Sequence, residues 1–276
     1  MKKQDIMTTV GLIAGFLAIT MGIVTGGEGS IAVKLKTFFD IGSIFITVGG
    51  SFFALLVNYP LGQIKKLMKI NIQAFKEPNV DGADNIAKFI NLSRKARREG
   101  LLSLEDSIQE IDDTFLKKGL QMVVDGIEPE TIKDVMELEI SEMERRHNMG
   151  AGLFKSWGAY APAFGMIGTL IGLIQMLAGN MSDASALSSG MSKALITTFY
   201  GSLMANVVLN PIAANLGYKT EIEVSNREMM LEGILAIQSG VNPRIVEEKL
   251  ISYLPPEGRK KYSEIQASGD GVVQDV

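Results

Sequence analysis

The run SWGAYAPAFGMIGTLIGLIQMLAGNMS, residues 156–182, decides the fold class because it contains no charged side chain. As a helix rising about 1.5 Å per residue it would reach roughly 40 Å, which exceeds a hydrocarbon core of about 30 Å. The run therefore predicts a transmembrane helix. Its pattern is more specific than that of a lipid-facing helix, because small and helix-distorting residues recur on one narrow face: Gly158, Pro162, Gly165, Thr169 and Gly172.

Three further windows also lack Asp, Glu, Lys and Arg: residues 6–27, 41–64 and 194–218. The chain is 46% hydrophobic and only 21% charged, and its charges are segregated from its apolar runs, unlike those of an ordinary soluble domain. The first window follows two lysines but is long for a secretory signal and has no A-x-A site after it, so we expect a retained helix. The sequence predicts an all-α integral membrane protein with four transmembrane helices and a large helical cytoplasmic domain between the second and third.

The distribution of Lys and Arg near the span ends predicts the orientation of the protein in the plasma membrane. The two short connections carry Lys34, Lys36 and Lys193. The N-terminus, the middle loop and the tail carry many more: Lys2, Lys3, Lys65, Lys66, Lys69, Arg145, Arg146, Lys155, Lys219 and Arg227. We therefore expect both termini and the large loop to be cytoplasmic, with Lys65, Lys66 and Lys69 contacting anionic lipid headgroups rather than nucleic acid.

Four segments follow from this topology. Residues 1–60 hold the first two spans, 61–155 form a cytoplasmic helical domain, 156–218 hold the third and fourth spans, and 219–276 form C-terminal cytoplasmic helices and a tail. Loop signals lie at Pro78-Asn79 and Asp81-Gly82. Ser103 and Asp106 resemble a capping box, which predicts a helix starting after Gly100. The tail helices are expected to pack on the helices of the middle loop.

The segment SRKARREGLLSLEDSIQEIDD, residues 93–113, changes from basic to acidic within about ten residues. A solvated helical hairpin explains this pattern, and so does a docking surface for a partner with its own alternating charges. Sequence alone leaves both open.

Enzymatic chemistry has little support in the sequence. There is no Cys and a single histidine, His147, so disulfides, thiolate metal sites and a histidine metal centre are excluded. No Walker loop, nucleotide fingerprint or catalytic triad spacing occurs. We therefore expect no covalent catalytic site, no bound cofactor and no metal.

The four spans also contain no acidic side chain of their own. An ion relay across hydrocarbon normally needs an Asp, Glu or His that exchanges the ion, so a conduction path would need a carboxylate from another polypeptide. Thr169, Thr197 and Thr198 could offer hydroxyl oxygens to a cation, or they could simply satisfy backbone carbonyls of their own helices. Pro162 and Pro211 remove backbone hydrogen bonds and could let the helices repack, and we expect them at similar depth.

Three motifs together resemble the flagellar stator family represented by MotA and PomA. They are APAFGMIGTLIGL (161–173), TTFYGSLMANVVLNPIA (197–213) and RREGLLSLED (97–106). The resemblance covers all four spans, the middle loop and the tail. ExbB and TolQ are similar more distantly, but they have three spans and the opposite N-terminal orientation.

The resemblance implies a pentameric ring of this chain around a pair of MotB-like, peptidoglycan-binding subunits, each supplying a transmembrane Asp. Passage of H⁺ or Na⁺ would turn the ring and push the rotor protein FliG. By motif, Pro162 and Pro211 match the family's two functional prolines, and Arg97 and Glu105 match its rotor-binding charged pair. Thr169, Thr197 and Thr198 match hydroxyl positions typical of sodium-driven relatives, although some proton-driven members keep part of this set, so the ion stays open.

The sequence hypothesis is therefore a stator subunit that converts ion-motive force into torque. Two alternatives remain at this stage. One is an ExbB/TolQ-like subunit that energises an outer-membrane process, and the other is a non-conducting membrane scaffold whose glycines only pack helices.

Overall fold

The computed structural model describes residues 5–26, 29–77, 82–179 and 183–269, which form helices joined by short turns. Lys2, Lys3 and the predicted loop residues 78–81 lie outside the described residues, as does the end of the 156–182 run. The helices are, in chain order, α1 (Ile6–Thr25), α2 (Ile31–Thr37), α3 (Ile41–Ile44), α4 (Gly50–Asn58), α5 (Leu61–Ile64), α6 (Leu67–Ala74), α7 (Gly82–Glu99), α8 (Leu104–Gln109), α9 (Thr114–Val124), α10 (Pro129–Ala178), α11 (Ala184–Leu203), α12 (Asn210–Gln238), α13 (Pro243–Ile251) and α14 (Pro256–Gly269).

Three tighter or wider turns interrupt this series. A π-helical turn, Phe45–Gly49, joins α3 to α4, and a second one, Met204–Leu209, joins α11 to α12. A 3₁₀ turn, Leu101–Ser103, precedes α8. Because the π turns add a residue without ending the helix, α3–α4 and α11–α12 each run continuously.

Four helical runs are long and apolar enough to cross a membrane: Ile6–Thr25, Ile41–Asn58, Pro129–Ala178 and Ala184–Gln238. Large apolar side chains on them face outward, as a lipid environment requires, among them Met7, Val57, Ile174 and Leu195. The prediction of an all-α membrane protein with four transmembrane helices is confirmed.

Two of these runs extend far beyond the predicted apolar windows. The third span is the C-terminal part of a 50-residue helix, and the fourth is the N-terminal part of a 55-residue run. The polar half of α10 stays helical because an apolar stripe on it, including Ile132, Met136 and Met143, is buried. The apolar windows alone could not predict this continuity, because they end where the charges begin.

The chain divides into two compact units. The first comprises Met1–Glu77 and His147–Tyr218, and the second comprises Pro78–Arg146 and Lys219–Val276. The predicted segment boundaries after residues 60, 155 and 218 stay predictions.

The second unit has a hydrophobic core that includes Phe89, Phe115, Met136 and Ile234, all of which are almost fully buried. Helices α13 and α14 of the tail pack against α7 of the middle loop. The predicted packing of the tail on the middle loop is therefore confirmed. The predicted capping box is wrong: α8 does begin after Gly100, but the Ser103 hydroxyl donates to the Gly100 carbonyl oxygen and caps no N–H of the helix.

Aspartates cap the starts of two helices at the predicted outer ends of the spans. Asp40 precedes α3 and accepts hydrogen bonds from the backbone N–H and the hydroxyl of Ser43, and these lower the pKa of its carboxyl. Asp183 precedes α11, where the hydroxyl and N–H of Ser185 lower the pKa of its carboxyl in the same way. Both carboxylates act as helix caps.

Candidate functional sites: the α10–α11 pair and the α7–α8 turn

Helices α10 and α11 approach each other closely because glycines line their contact. A side chain on Gly201 would lie 2.6 Å from the Ala161 carbonyl oxygen and 3.0 Å from Cα of Pro162. A side chain on Gly172 would lie 2.8 Å from backbone atoms of both Ala194 and Gly190. The small-residue stripe identified in the sequence is therefore a helix–helix contact at which one backbone meets the other.

Two of the predicted hydroxyls meet at this contact. Thr169 on α10 and Thr198 on α11 lie 2.5 Å apart, oxygen to oxygen. The Thr169 hydroxyl also lies 3.1 Å from the Gly165 carbonyl oxygen and 3.0 Å from the Ala194 carbonyl oxygen across the contact. Thr198 is exposed and Thr169 is half-buried. The pair thus presents lone pairs of two hydroxyls, beside two carbonyl oxygens, at the edge of the helix pair.

Thr197 has a different environment from its neighbour. Its side chain is fully buried, and its hydroxyl donates within α11 to the carbonyl oxygens of Lys193 at 3.1 Å and Ala194 at 2.9 Å. In this chain Thr197 is therefore a packed residue behind the Thr169–Thr198 pair, with its hydrogen bonds satisfied by its own helix.

The two prolines lie inside continuous helices. Pro162 contacts Gly201, whereas Pro211 follows Asn210, whose side chain packs against Gly158. Gly201, the residue beside Pro162, lies ten residues before Pro211 along the same run. The expectation that the two prolines lie at similar depth stays a prediction. The π turn Met204–Leu209 ends two residues before Pro211, where the missing N–H and the proline ring disturb the regular ladder.

The second span contributes a buried polar stripe that the sequence analysis missed. Ser43, Thr47 and Ser51 recur every four residues and are fully buried. Thr47 donates to the Thr197 carbonyl oxygen at 3.4 Å, and Ser51 accepts from the indole N–H of Trp157 at 3.0 Å. The four-residue spacing within SIFITVGGS, residues 43–51, is the signal in the sequence, since it places three hydroxyls on one helical face.

Arg97 and Glu105 lie on either side of a glycine turn in the second unit. Gly100 has φ +88° and ψ 163°, a conformation open almost only to glycine. Lys95 fixes the turn by donating to the Ser107 hydroxyl at 2.9 Å. Arg97 and Glu105 are exposed, and within the described part of the chain neither has an ion-pair partner.

No metal centre is formed by the side chains of the described residues, which contain no group of three or more His, Cys, Asp or Glu able to hold an ion. The oxygens around Thr169 and Thr198 are neutral hydroxyls and carbonyls. They could carry or partly dehydrate a cation, but they lack the negative charge that a relay across hydrocarbon needs.

Comparison with known proteins identifies the family. The model of the MotA/TolQ/ExbB proton channel family matches residues 107–229. Motility protein A of Treponema pallidum is 42% identical over 258 residues, 94% of this chain and 97% of that protein. This chain belongs to the MotA/TolQ/ExbB family.

Within the family, the similarity extends over nearly the whole chain. Chemotaxis protein PomA of Vibrio alginolyticus is 40% identical over 257 residues, 93% of this chain and 98% of that protein. The flagellar MotAB stator complex of Bacillus subtilis contains a chain with the same fold, with a TM-score of 0.86 at 37% identity over 94% of this chain and 99% of that one. The resemblance drawn from the three sequence motifs is confirmed.

Proposed function

We infer that this chain is the membrane subunit of a flagellar stator, which uses an ion gradient to generate torque. The observation that carries the inference is the α10–α11 pair, where two threonine hydroxyls meet on an accessible edge in spans without any carboxylate. Such a pair is half of an ion path. Similarity to motility proteins over nearly the whole chain favours this function over an outer-membrane energiser or a non-conducting scaffold.

The missing carboxylate comes, in this proposal, from a second polypeptide. The Bacillus subtilis neighbour is a MotAB complex, and by analogy this chain would assemble with a MotB-like, peptidoglycan-binding subunit that supplies a transmembrane Asp. Five copies of the chain would surround two such subunits. An ionised Asp at a hydrophobic interface is costly unless neighbouring oxygens solvate it or its ion, and Thr169 and Thr198 are suited to that task.

Coupling of ion binding to motion is assigned to the prolines. Pro162 contacts the α11 backbone at Gly201, Pro211 follows a π turn, and each proline lacks the N–H that would complete the hydrogen-bond ladder of its helix. Binding and release of an ion at the partner's Asp would shift the α10–α11 pair between two packings and thereby turn the ring. The proposed orientation is the one that the Lys and Arg distribution predicts, with both termini and the middle loop in the cytoplasm.

Deletion of the gene tests this function, in a strain with no other stator genes. We expect cells that still assemble flagella but do not rotate them, and we expect the wild-type gene to restore rotation of tethered cells. Normal rotation in the deletion strain, with loss of an energy-dependent outer-membrane uptake instead, would reject the stator function in favour of the energiser.

The α7–α8 turn is the proposed contact with the rotor protein FliG. Arg97 and Glu105 are exposed and make no ion pair with the described residues, so their charges are available to a partner. Reversing both, Arg97→Glu with Glu105→Arg, should sharply reduce swarming while leaving the amount of protein in the membrane unchanged. The matched control reverses Lys133 and Glu137, an exposed pair on α10, and should swarm normally. Wild-type swarming by the Arg97/Glu105 variant would remove this assignment.

Measuring swimming speed in media with and without sodium at fixed pH identifies the transported ion. The Thr169–Thr198 pair beside two carbonyl oxygens could hold a partly dehydrated Na⁺, and it could equally hold a water that passes protons. Loss of swimming when potassium replaces sodium assigns Na⁺, and unchanged speed assigns H⁺.

A further inference from the structure

We propose that α6 is an interfacial helix that binds anionic lipid headgroups through Lys65, Lys66 and Lys69. The proposal concerns a surface outside the ion path and the α7–α8 turn, and it requires only that the chain crosses a membrane. The ligand of this surface is the phospholipid of the membrane leaflet at which the second span ends.

The connections at both ends of α6 fix its depth. The preceding helix α5 starts three residues after the second span ends at Asn58. At the other end, the Phe75 carbonyl oxygen accepts a hydrogen bond of 2.9 Å from the N–H of Asp5, the residue that caps the first span. Because the first two spans are joined by a short connection at their other ends, Asp5 and Asn58 lie at the same membrane surface. Helix α6 therefore runs along that surface between the ends of two spans.

Two contacts with α10, which contains the third span, give the same membrane depth for α6. The Tyr59 hydroxyl lies 2.9 Å from the hydroxyl of Ser156, the first residue of the uncharged run in α10. Ile70 of α6 packs against Gly150, six residues earlier on the same helix. Helix α6 is thus level with the point at which α10 changes from polar to apolar.

The two faces of α6 have different surroundings. Leu67 and Ile70 pack on a buried cluster that includes Ala74, Phe154 and Leu209. On the outer face, Met68 is 72% exposed and Ile72 is 54% exposed, so two large apolar side chains are uncovered at headgroup depth. An amphipathic helix in this position inserts such side chains into the boundary between headgroups and acyl chains, about 5–10 Å deep.

The charge of the surface selects the lipid. Lys65, Lys66 and Lys69 are exposed, and within the described residues none of them has an ion-pair partner. Residues 61–74 contain no Asp or Glu. Three unpaired ammonium groups beside inserted apolar side chains match phosphatidylglycerol or another anionic lipid better than zwitterionic phosphatidylcholine.

A fluorescent label at position 68 tests both parts of the proposal. The chain has no Cys, so Met68→Cys gives one bimane site, studied in the full chain with its partner subunit made cysteine-free and reconstituted in bilayers. Brominated phosphatidylcholine and brominated phosphatidylglycerol report contact with each lipid. We expect both lipids to quench the label, with phosphatidylglycerol more effective. Leu138→Cys in the second unit, also an exposed apolar position, should not be quenched.

Three sets of substitutions in the Met68→Cys background separate charge from structure. In Lys65→Gln/Lys66→Gln/Lys69→Gln, the preference for phosphatidylglycerol should fall by roughly fivefold per lysine, whereas Lys→Arg at the same three positions should retain it. The control carries Lys→Gln at three exposed lysines of the second unit, Lys88, Lys117 and Lys260, and should match the parent. Absence of quenching at position 68, or an equal preference in the parent and the Lys→Gln variant, would overturn the proposal.

Discussion

Substitution of Gly201 by alanine tests the close contact between α10 and α11. The added Cβ would lie 2.6 Å from the Ala161 carbonyl oxygen and 3.0 Å from Cα of Pro162. Both are backbone-fixed atoms, so no side-chain rotation can relieve the overlap. Ordinary contact begins at 3.4 Å, so the two helices would have to separate by about 0.8 Å at this point, because 3.4 minus 2.6 is 0.8.

The expected cost follows from studies of overpacked interiors, where forced displacement of this kind destabilises by about 1–3 kcal/mol. The assay is thermal unfolding of the purified complex in detergent, followed by rotation of tethered cells carrying the same variant. We expect Gly201→Ala to lower the midpoint by roughly 2–4 °C for each kcal/mol. Because the clash involves Pro162, we also expect slower rotation at equal protein level.

Gly217→Ala is the matched control, since a Cβ there would meet no atom within 4 Å and the residue is also helical. It should be at least as stable as the wild type, because alanine is the better helix former. A Gly201→Ala variant as stable and as fast as the Gly217→Ala control would refute the close-packing argument.

Three further predictions concern single residues. Gly100→Ala should destabilise the second unit by about 1–3 kcal/mol, because φ +88° with ψ 163° strains any residue with a Cβ; thermal unfolding should show no such loss for Gly62→Ala, which has open space and no positive φ. Tyr262 is buried, donates to Glu247 at 2.9 Å, and has a pKa raised by burial above its ordinary value. The contribution of Tyr262 to the free energy of unfolding is therefore complete below about pH 10 and is lost as the pH rises further, because the phenol ionises first in the unfolded chain. Tyr262→Phe should lower the free energy of unfolding by about 1–3 kcal/mol at neutral pH and should reduce the loss of stability at alkaline pH, measured as unfolding over a pH series. An unchanged alkaline slope would contradict this prediction. Thr198→Val keeps the side-chain shape but removes the hydroxyl that meets Thr169, so it should lower the free energy of unfolding by about 0.5–1.5 kcal/mol while slowing swimming at equal protein level. Normal speed would exclude its hydroxyl from the ion path.

The sequence predicted the membrane spans well because charge is excluded from hydrocarbon over a fixed length. It predicted their ends poorly. Residues 129–155 are polar, yet they continue the third helix because Ile132 and Met136 bury one face of it. Hydropathy detects a lipid-exposed helix, whereas an amphipathic extension is held by neighbours that are distant in the chain.

The candidate site was predicted in part. Glycine spacing correctly indicated that α10 presents a narrow small-residue face, but spacing cannot say which backbone atoms of α11 will meet that face, such as those of Thr198 at Gly165. The three threonines looked equivalent in sequence, and only the packing separates buried Thr197 from the Thr169–Thr198 pair. The π turns were not predicted: one of them ends two residues before Pro211, but a proline in a helical pattern indicates a disturbed hydrogen-bond ladder without specifying a π turn. The roles of the prolines, threonines and rotor charges stay predictions.

The central claim is that this chain provides an ion path that is incomplete without a carboxylate from its partner. Ion uptake into vesicles and rotation of tethered cells test it directly, with the chain alone, with the wild-type partner, and with a partner whose transmembrane Asp is replaced by Asn. We predict uptake and rotation only with the wild-type partner, at equal amounts of assembled complex. Ion uptake by this chain alone, or undiminished rotation with the Asn-bearing partner, would contradict the claim.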